Sequence, residues 1–416
     1  METKVWHKYG TALTECQARI VRYRMIAMSK LILAAAAAAA LAVGAFGWQQ
    51  TADSLPAPYA TPSSANGAKV IPRPEGAQLK VPEGFTVEKY AENFDRPRFM
   101  VQGTGGEVLV SDMIPNGSVF ALKGGTRKAV LTGLDRPYGL AFWKGFLYVA
   151  ETTSLKRYKY DSKTQTAGAG EELVAMKDFG KGHVTRTVLF DRKGEKMYLA
   201  VGSSANVVTG DPEMRAAVNR FNPDGSGHEV MASGLRNPVG LRFYPGTDTL
   251  WATVQERDGL GDGLVPDYFT SVRPGGFYGW PYAYIGSHPD PRIEQTRKDL
   301  VDRAIVPDVV LDTHVAVLDF LFYTGKKFPA EYRGGAFLAN HGSSNRVKRI
   351  GYSVSFVPFK DGKPAGAPRD FLTGWMLGED RKEVWGRPVG LLQMADGSLL
   401  VSEDGGKAIW RVSYGR

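Results

Sequence analysis

The whole chain contains one cysteine, Cys16. It falls in a basic N-terminal stretch, so the remainder offers no disulfide, no thiolate metal centre and no Cys-x-x-Cys-His site for covalent haem. Charge blocks are missing as well. The formal net charge is +9, yet residues 1–47 alone carry six Lys or Arg against Glu2 and Glu15. No Lys/Arg-rich run and no nucleic-acid motif follows, which argues against nucleic acid as a partner. Beyond the N-terminus no stretch has the periodicity of a three-turn amphipathic helix. His228, His288 and His314 show no metal-ligand spacing.

What is present begins with a leader. "RYRMIAMSK" runs into "LILAAAAAAALAVGAFG", an apolar run of 17 residues, and then into the polar "WQQTADS". Residues 1–47 read as a signal peptide cleaved somewhere after Ala45, with translation starting at Met25 or Met28, because the basic preamble is long for such a segment. Seventeen apolar residues also approach the length of an uncleaved anchor. The expected location is periplasmic or otherwise exported, with membrane attachment only if this segment is retained. Residues 48–80, rich in Pro, Ala and Ser, read as a linker.

From residue 81 to residue 416 one phrase recurs: an Arg-Pro turn, an apolar strand, a Gly or Asp-Gly turn, and a second strand. It appears as "RPRFMVQGTGGEVLVSD" (96–112), "RPYGLAFWKGFLYVAE" (136–151), "HVTRTVLFDRKGEKMYLAVG" (183–202), "RNPVGLRFYPGTDTLWATV" (236–254) and "RPVGLLQMADGSLLVSED" (387–404). A degenerate copy spans 314–340. The early spacings of 40 to 53 residues suit four-stranded propeller blades. Six copies predict an all-β, six-bladed β-propeller; a seventh blade arises only if 352–372 stands alone. The last strand, "AIWRVSYG", and the first, "FTVEKYAE", are expected to pair and close the ring. Proline suits the start of an inner strand because it fixes φ and lacks an N–H.

In this order "GHVTRTVLFDRKGEKMYLAVGSS", "GLRNPVGLRF", "RPGGFYGWPYAY", "ANHGSSNR" and "GRPVGLLQMADGSLLVSEDGG" resemble the glucose/sorbosone dehydrogenase family, and its sorbosone-type members most. The resemblance covers residues 82–414. It implies a six-bladed propeller using pyrroloquinoline quinone (PQQ) and calcium to oxidise an aldose, sorbosone or related aldehyde by hydride transfer. Electrons would then pass to a separate cytochrome c or quinone.

The resemblance also implies roles. His183 is the expected base, an imidazole of ordinary pKa being able to take a proton near neutrality. Arg236 and Asn237 lie at the cofactor, the arginine facing charge that develops on reduction. Arg387 holds cofactor carboxylates, for which a guanidinium fork is suited, with Arg346 and Lys348 as further clamps. His341 is a cofactor or substrate contact, and Tyr278 and Trp280 are candidate walls for a flat ring. Asp258, Asp262 and Asp267 offer oxygen ligands for calcium, although in the family calcium is held largely by backbone carbonyls. Several family features are absent: Gly182 stands where relatives carry an acid, and "DGL" (258–260) where they carry "DEL".

Two other functions suit a propeller. A calcium-dependent lactonase would need carboxylates around the channel, where these repeats present Arg and His. A non-catalytic binding propeller would show no dependence on PQQ or calcium.

Overall fold

The computed structural model describes residues 52–415; the signal-peptide reading lies outside them. Five sheets of four strands and one of five follow one another along the chain. Their inner strands are Pro97–Gln102, Leu140–Trp143, Arg186–Phe190, Asn237–Phe243, Val317–Phe322 and Pro388–Gln393. Each packs against the inner strands of the blades before and after it, and the sixth packs on the first. The result is the expected six-bladed propeller.

The repeated glycine of "RPYGL", "NPVGL" and "RPVGL" has a physical reason. A Cβ on Gly139 would lie 2.6 Å from the carbonyl oxygen of Arg186, and one on Gly390 would lie 2.3 Å from that of Arg98. Both partners are on the next blade's inner strand, so bare backbone here lets successive blades converge on the axis. Buried hydroxyls bolt the same junctions. Ser111 Oγ donates to the Tyr138 carbonyl, Thr253 Oγ1 to that of Leu318, and Ser402 Oγ to that of Arg98. The same three oxygens accept the N–H of Phe99, Gly240 and Gly390 on their own blades.

The last strand, Ala408–Tyr414, pairs antiparallel with Phe85–Ala91 and completes blade 6, as the ends of the repeat array predicted. Ser353–Val357 and Arg369–Leu372 are the outer strands of blade 5, so 352–372 is no seventh blade. Blade 4 carries the longest insertion, which holds the α-helix Lys298–Asp302. Within it, Gly276–Phe277 adds to the edge of blade 3 in parallel.

The linker reading of 48–80 is corrected where the structure describes it. Residues 52–80 run across the body rather than away from it. The Tyr59 N–H donates to the Leu260 carbonyl, that of Asn66 to Ser344, and that of Lys69 to Lys382. The segment shows no apolar periodicity because it is held by hydrogen bonds at loop edges and by irregularly spaced side chains, with Ala68, Ile71, Ala77 and Leu79 packed half-buried on one core cluster and Leu55 on another.

Candidate functional site

The start of every inner strand lies at one end of the channel, and the turn before it must satisfy its own N–H groups. In three blades a carboxylate at the end of the second strand does so. Asp112 accepts from the N–H groups of Asp95 and Arg96, Glu151 from Asp135, and Glu403 from Arg387 and Gly406. Blade 3 has no such acid: its second strand ends "LAVGSS", and a histidine occupies the turn.

His183 Nδ1 lies 3.0 Å from the Ser203 carbonyl oxygen, which can only accept. The ring therefore carries its proton on Nδ1 and leaves Nε2 as a bare lone pair. Gly202 makes room: a Cβ there would lie 2.6 Å from His183 Cβ and 2.3 Å from Asn237 Oδ1. Arg186 and Arg215 clamp the turn, donating to the carbonyls of His183, Phe179, Lys181 and Gly202. These hydrogen-bond partners are neutral; the carboxylates that act on the two guanidiniums, Asp135 on Arg186 and Asp211 on Arg215, do so without a direct ion pair. Burial, with Arg236, Arg215 and Arg186 nearby, pushes the His183 imidazole down to about 3. This corrects the expectation of an ordinary pKa. Burial also lowers Arg236, and it lowers Arg186 to about 9.

Arg236 is 6% exposed and most of its donors are committed. Nε donates to the Asn206 carbonyl at 3.0 Å, Nη2 to Asn206 Oδ1 at 2.9 Å, and Nη1 to the Glu256 carbonyl at 2.7 Å. It joins the 203–211 loop to the top of blade 4. Asn237 is fixed by a chain of donors. Gln255 Nε2 donates to the Val317 carbonyl, so Gln255 Oε1 faces Asn237 Nδ2 at 2.9 Å. Asn237 Oδ1 is then buried with no partner, beside the His183 ring.

Blade 6 supplies a second charged cluster. Arg387 donates through Nε and Nη2 to the carbonyls of His341 and Gly342, while Nη1 has no partner among the described residues. His341 Nε2 lies 2.8 Å from Asp404 Oδ1, and Arg98 Nη2 lies 2.8 Å from Asp404 Oδ2. Arg96 adds a 3.3 Å contact to the same carboxylate. Although burial opposes it, Asp404 is held well below the usual carboxylate range by Arg98, His341 and Arg96. His341 falls to about 4, burial being the largest cause. The buried Nε of Arg98 is unpartnered.

Other sequence-selected residues go elsewhere. Tyr278 is core: its Oη donates to the Ser271 carbonyl and accepts from the Arg273 N–H, and burial raises it to about 12. Trp280 donates from Nε1 to the Asn206 carbonyl, next to Arg236, and is 4% exposed, which leaves little ring surface for a ligand. Lys348 is exposed and paired with Glu379 at 2.6 Å. Arg346 faces Asp262 at 3.5 Å. The three proposed calcium ligands do not converge. Asp258 faces His314 at 3.2 Å, the Asp262 carboxylate accepts from the Val347 N–H, and Asp267 is buried, accepting from the Glu256 N–H. Among the described residues no three His, Cys, Asp or Glu side chains form a metal-holding group.

Arg98, Arg186, Arg215, Asn206, Gln255 and Asp404 belong to these clusters and were not selected from sequence. A usable signal existed for Glu403, next to Asp404, and for the turn of blade 3. The strand endings "LVSD", "YVAE" and "LVSE" end in an acid, and "LAVGS" breaks the series.

Residues 79–264 and 289–415 match the TrAA12-like family. A Borreliella burgdorferi (strain ATCC 35210) protein described as uncharacterized is 28% identical over 358 residues, spanning 81% of this chain and 91% of that one. The holo PQQ domain of a Coprinopsis cinerea pyranose dehydrogenase has a similar fold. Its TM-score is 0.70 at 23% identity, covering 82% of this chain and 98% of that one. The Trichoderma reesei family AA12 carbohydrate-active enzyme, in its calcium structure, gives a TM-score of 0.71 at 20% identity, with coverages of 84% and 99%. The PQQ-bound aldose sugar dehydrogenase of Streptomyces coelicolor gives 0.57 at 17% identity, with coverages of 80% and 99%.

Proposed function

This chain belongs to the TrAA12-like family, and on that premise we propose that it is an exported PQQ- and calcium-dependent dehydrogenase. Its substrate is an aldose, sorbosone or related aldehyde, and its electrons leave to a separate cytochrome or quinone. The observation that carries this reading is the set of three buried arginines around His183, whose hydrogen bonds all go to neutral carbonyl and amide oxygens, together with the unpartnered Oδ1 of Asn237. Buried cations whose partners are neutral carbonyls call for an anionic ligand. Export rests on the basic-then-apolar N-terminal sequence.

The residues fit PQQ, a flat tricarboxylate. Arg387 Nη1 is a donor without a hydrogen-bond partner, suited to its carboxylates. When bound, PQQ supplies the two-electron acceptor. His183 holds its Nδ1 proton against the Ser203 carbonyl, so Nε2 takes the substrate's hydroxyl proton. Arg236, locked by Asn206 and Glu256, contributes a fixed positive charge that needs no reorganisation during the reaction. Asp258, Asp262 and Asp267 do not fit calcium as a set, so any calcium here is held by backbone carbonyls. The lactonase alternative requires a cage of converging carboxylates, which these residues do not form.

A second assignment of the base is favoured by one contact. His341 has a carboxylate partner, Asp404, at 2.8 Å, an arrangement that stabilises an imidazolium once formed.

The test is reconstitution of the purified protein with PQQ and Ca²⁺, followed by the absorbance of the oxidised quinone on adding aldoses and sorbosone. Bleaching that is lost in His183→Ala but kept in His341→Ala establishes the reaction and its base. The converse pattern moves the base to His341. Absence of PQQ binding with calcium present sinks the dehydrogenase reading.

A further inference from the structure

A row of alternating charges leads outward from the channel mouth. Arg236 Nη2 lies 3.8 Å from Asp258 Oδ2, and Asp258 Oδ1 lies 3.2 Å from His314 Nδ1. Next along the row, Asp262 Oδ2 lies 3.5 Å from Arg346 Nε, a buried nitrogen that makes no hydrogen bond. The side chains of Asp258, Asp262 and Arg346 keep 38%, 20% and 23% of their exposure, so the row is open on one side.

Residues 59–66 form its outer edge and hold both loops that carry it. Thr61 Oγ1 accepts from the Asp262 N–H at 3.0 Å, and Ser63 Oγ from the Gly261 N–H at 3.1 Å. A Cβ at Gly261 would lie 2.8 Å from the Thr61 carbonyl oxygen, so the two chains are in contact. Asn66 binds the other loop: Nδ2 donates to the carbonyls of Arg346 and Val347, both at 3.0 Å, and its Oδ1 and carbonyl accept from Arg349 Nη2. A one-residue grip on both sides of Arg346 fixes where that guanidinium can reach. It also fixes its distance to Asp262, whose own backbone the same segment holds.

We propose that this segment is part of the substrate site: Asn66 is a positioning residue and the Asp262–Arg346 pair a specificity determinant for a neutral polyhydroxylated substrate. A half-open carboxylate accepts hydrogen bonds from adjacent hydroxyls, and the part-exposed end of the Arg346 guanidinium, beyond its buried Nε, donates to a ring or hydroxyl oxygen. The mixed charges suit a neutral polyol better than an ion of either sign. The inference rests on the sugar-oxidising reading and extends it to residues that precede the propeller.

The test uses the full chain and its Asn66→Ala and Asp262→Asn variants. Binding of glucose, mannose and xylose is measured by titration calorimetry on the PQQ-loaded protein, and turnover is measured separately with the same sugars and with glycolaldehyde. The expected result is a rise of about tenfold or more in Kd and KM for the sugars, the effect of one lost charge-assisted hydrogen bond. kcat, PQQ affinity and the KM for glycolaldehyde should stay within about twofold. Asn66→Asp, which keeps the acceptor but loses the two donors, should resemble the alanine variant. Unchanged sugar affinity in both variants overturns the proposal. So does a loss of PQQ affinity or melting temperature that accounts for the whole effect. Variant-dependent sugar binding without any turnover leaves this site standing while removing the dehydrogenase reading.

Discussion

His183 is the residue whose chemistry departs furthest from its sequence reading. A histidine in a "KGH" turn suggests an imidazole with an ordinary pKa, yet burial, helped by three arginines drawn from blades 3 and 4, pushes it down to about 3. The consequence for stability has a definite sign. Unfolding returns the ring to its ordinary value of 6.5, so the unfolded chain takes up more protons between about pH 6.5 and 3. The contribution of His183 is therefore complete above that window and is lost as pH falls through it. Asp267 and Glu403, raised to about 7 by burial, contribute the opposite slope, which cancels in a comparison of the protein with its His183→Gln variant. Denaturation of the apoprotein from pH 7 to pH 4 should show a steeper loss of stability with His183 than without it. Identical slopes would place the imidazole back in its ordinary range. Lys348 and Arg387 give the second contrast at this scale. Lys348 was selected for its place near "HGSSNR", but its ammonium faces Glu379 on the surface. Lys348→Ala should leave PQQ affinity within about twofold, whereas Arg387→Ala should weaken it by about ten- to a hundredfold in equilibrium titrations.

At the scale of the element, the repeated phrase is explained by the junctions between blades. Arg-Pro-x-Gly sets the turn, starts the strand and bares the backbone where the next blade approaches, all within four residues. The hydroxyl that completes each junction, in Ser111, Thr253 or Ser402, sits on the second strand and was not visible as part of the phrase. A serine in "LVSED" looks like any strand residue until a neighbouring carbonyl from a distant part of the chain is placed against it. Removing it strands the Arg98 carbonyl and the Gly390 N–H together in a dry junction. Ser402→Ala should cost about 1–3 kcal/mol. Thr253→Val, which keeps the volume and loses the hydroxyl, should cost a similar amount at Gly240 and Leu318. Denaturant titrations with unchanged m-values would check both. A cost near zero would mean that the junction is held by packing alone.

Across the whole molecule, the ring is closed by pairing the first propeller strand with the last, which removes the two free edges a linear array of sheets would leave. Deleting residues 408–416 should expose the edge of Leu399–Glu403 and turn a monodisperse protein into an aggregating one in size-exclusion chromatography. The same closure brings blades 6 and 1 together, and this adds Arg98 of blade 1 to Arg387 and Asp404 of blade 6, where His341 arrives from blade 5. Residues 52–80, read as a linker, became part of the body for a similar reason. Many of their partners are backbone groups of loops at 258–263, 343–349 and 382–384, and the side chains that help, such as Thr61, Ser63, Asn66, Ile71 and Leu79, follow no strand or helix period.

The sequence by itself determined the blade count, the closing strands and the exceptional status of the third and fourth turns. These depend on local periodicity and on Gly and Pro, whose backbone limits are written one residue at a time. Through the family resemblance it also offered His183, Arg236, Asn237, Arg387 and His341 as candidates for the base and the cofactor contacts. Tertiary structure alone decided which of their atoms are committed and which are free. It decided as well that Asp258, Asp262 and Asp267 are separated and that Tyr278 is core. Hydrogen-bond partners, burial and the electrostatic field at a side chain are sums over neighbours that the chain brings from hundreds of residues away, and local pattern carries no record of them.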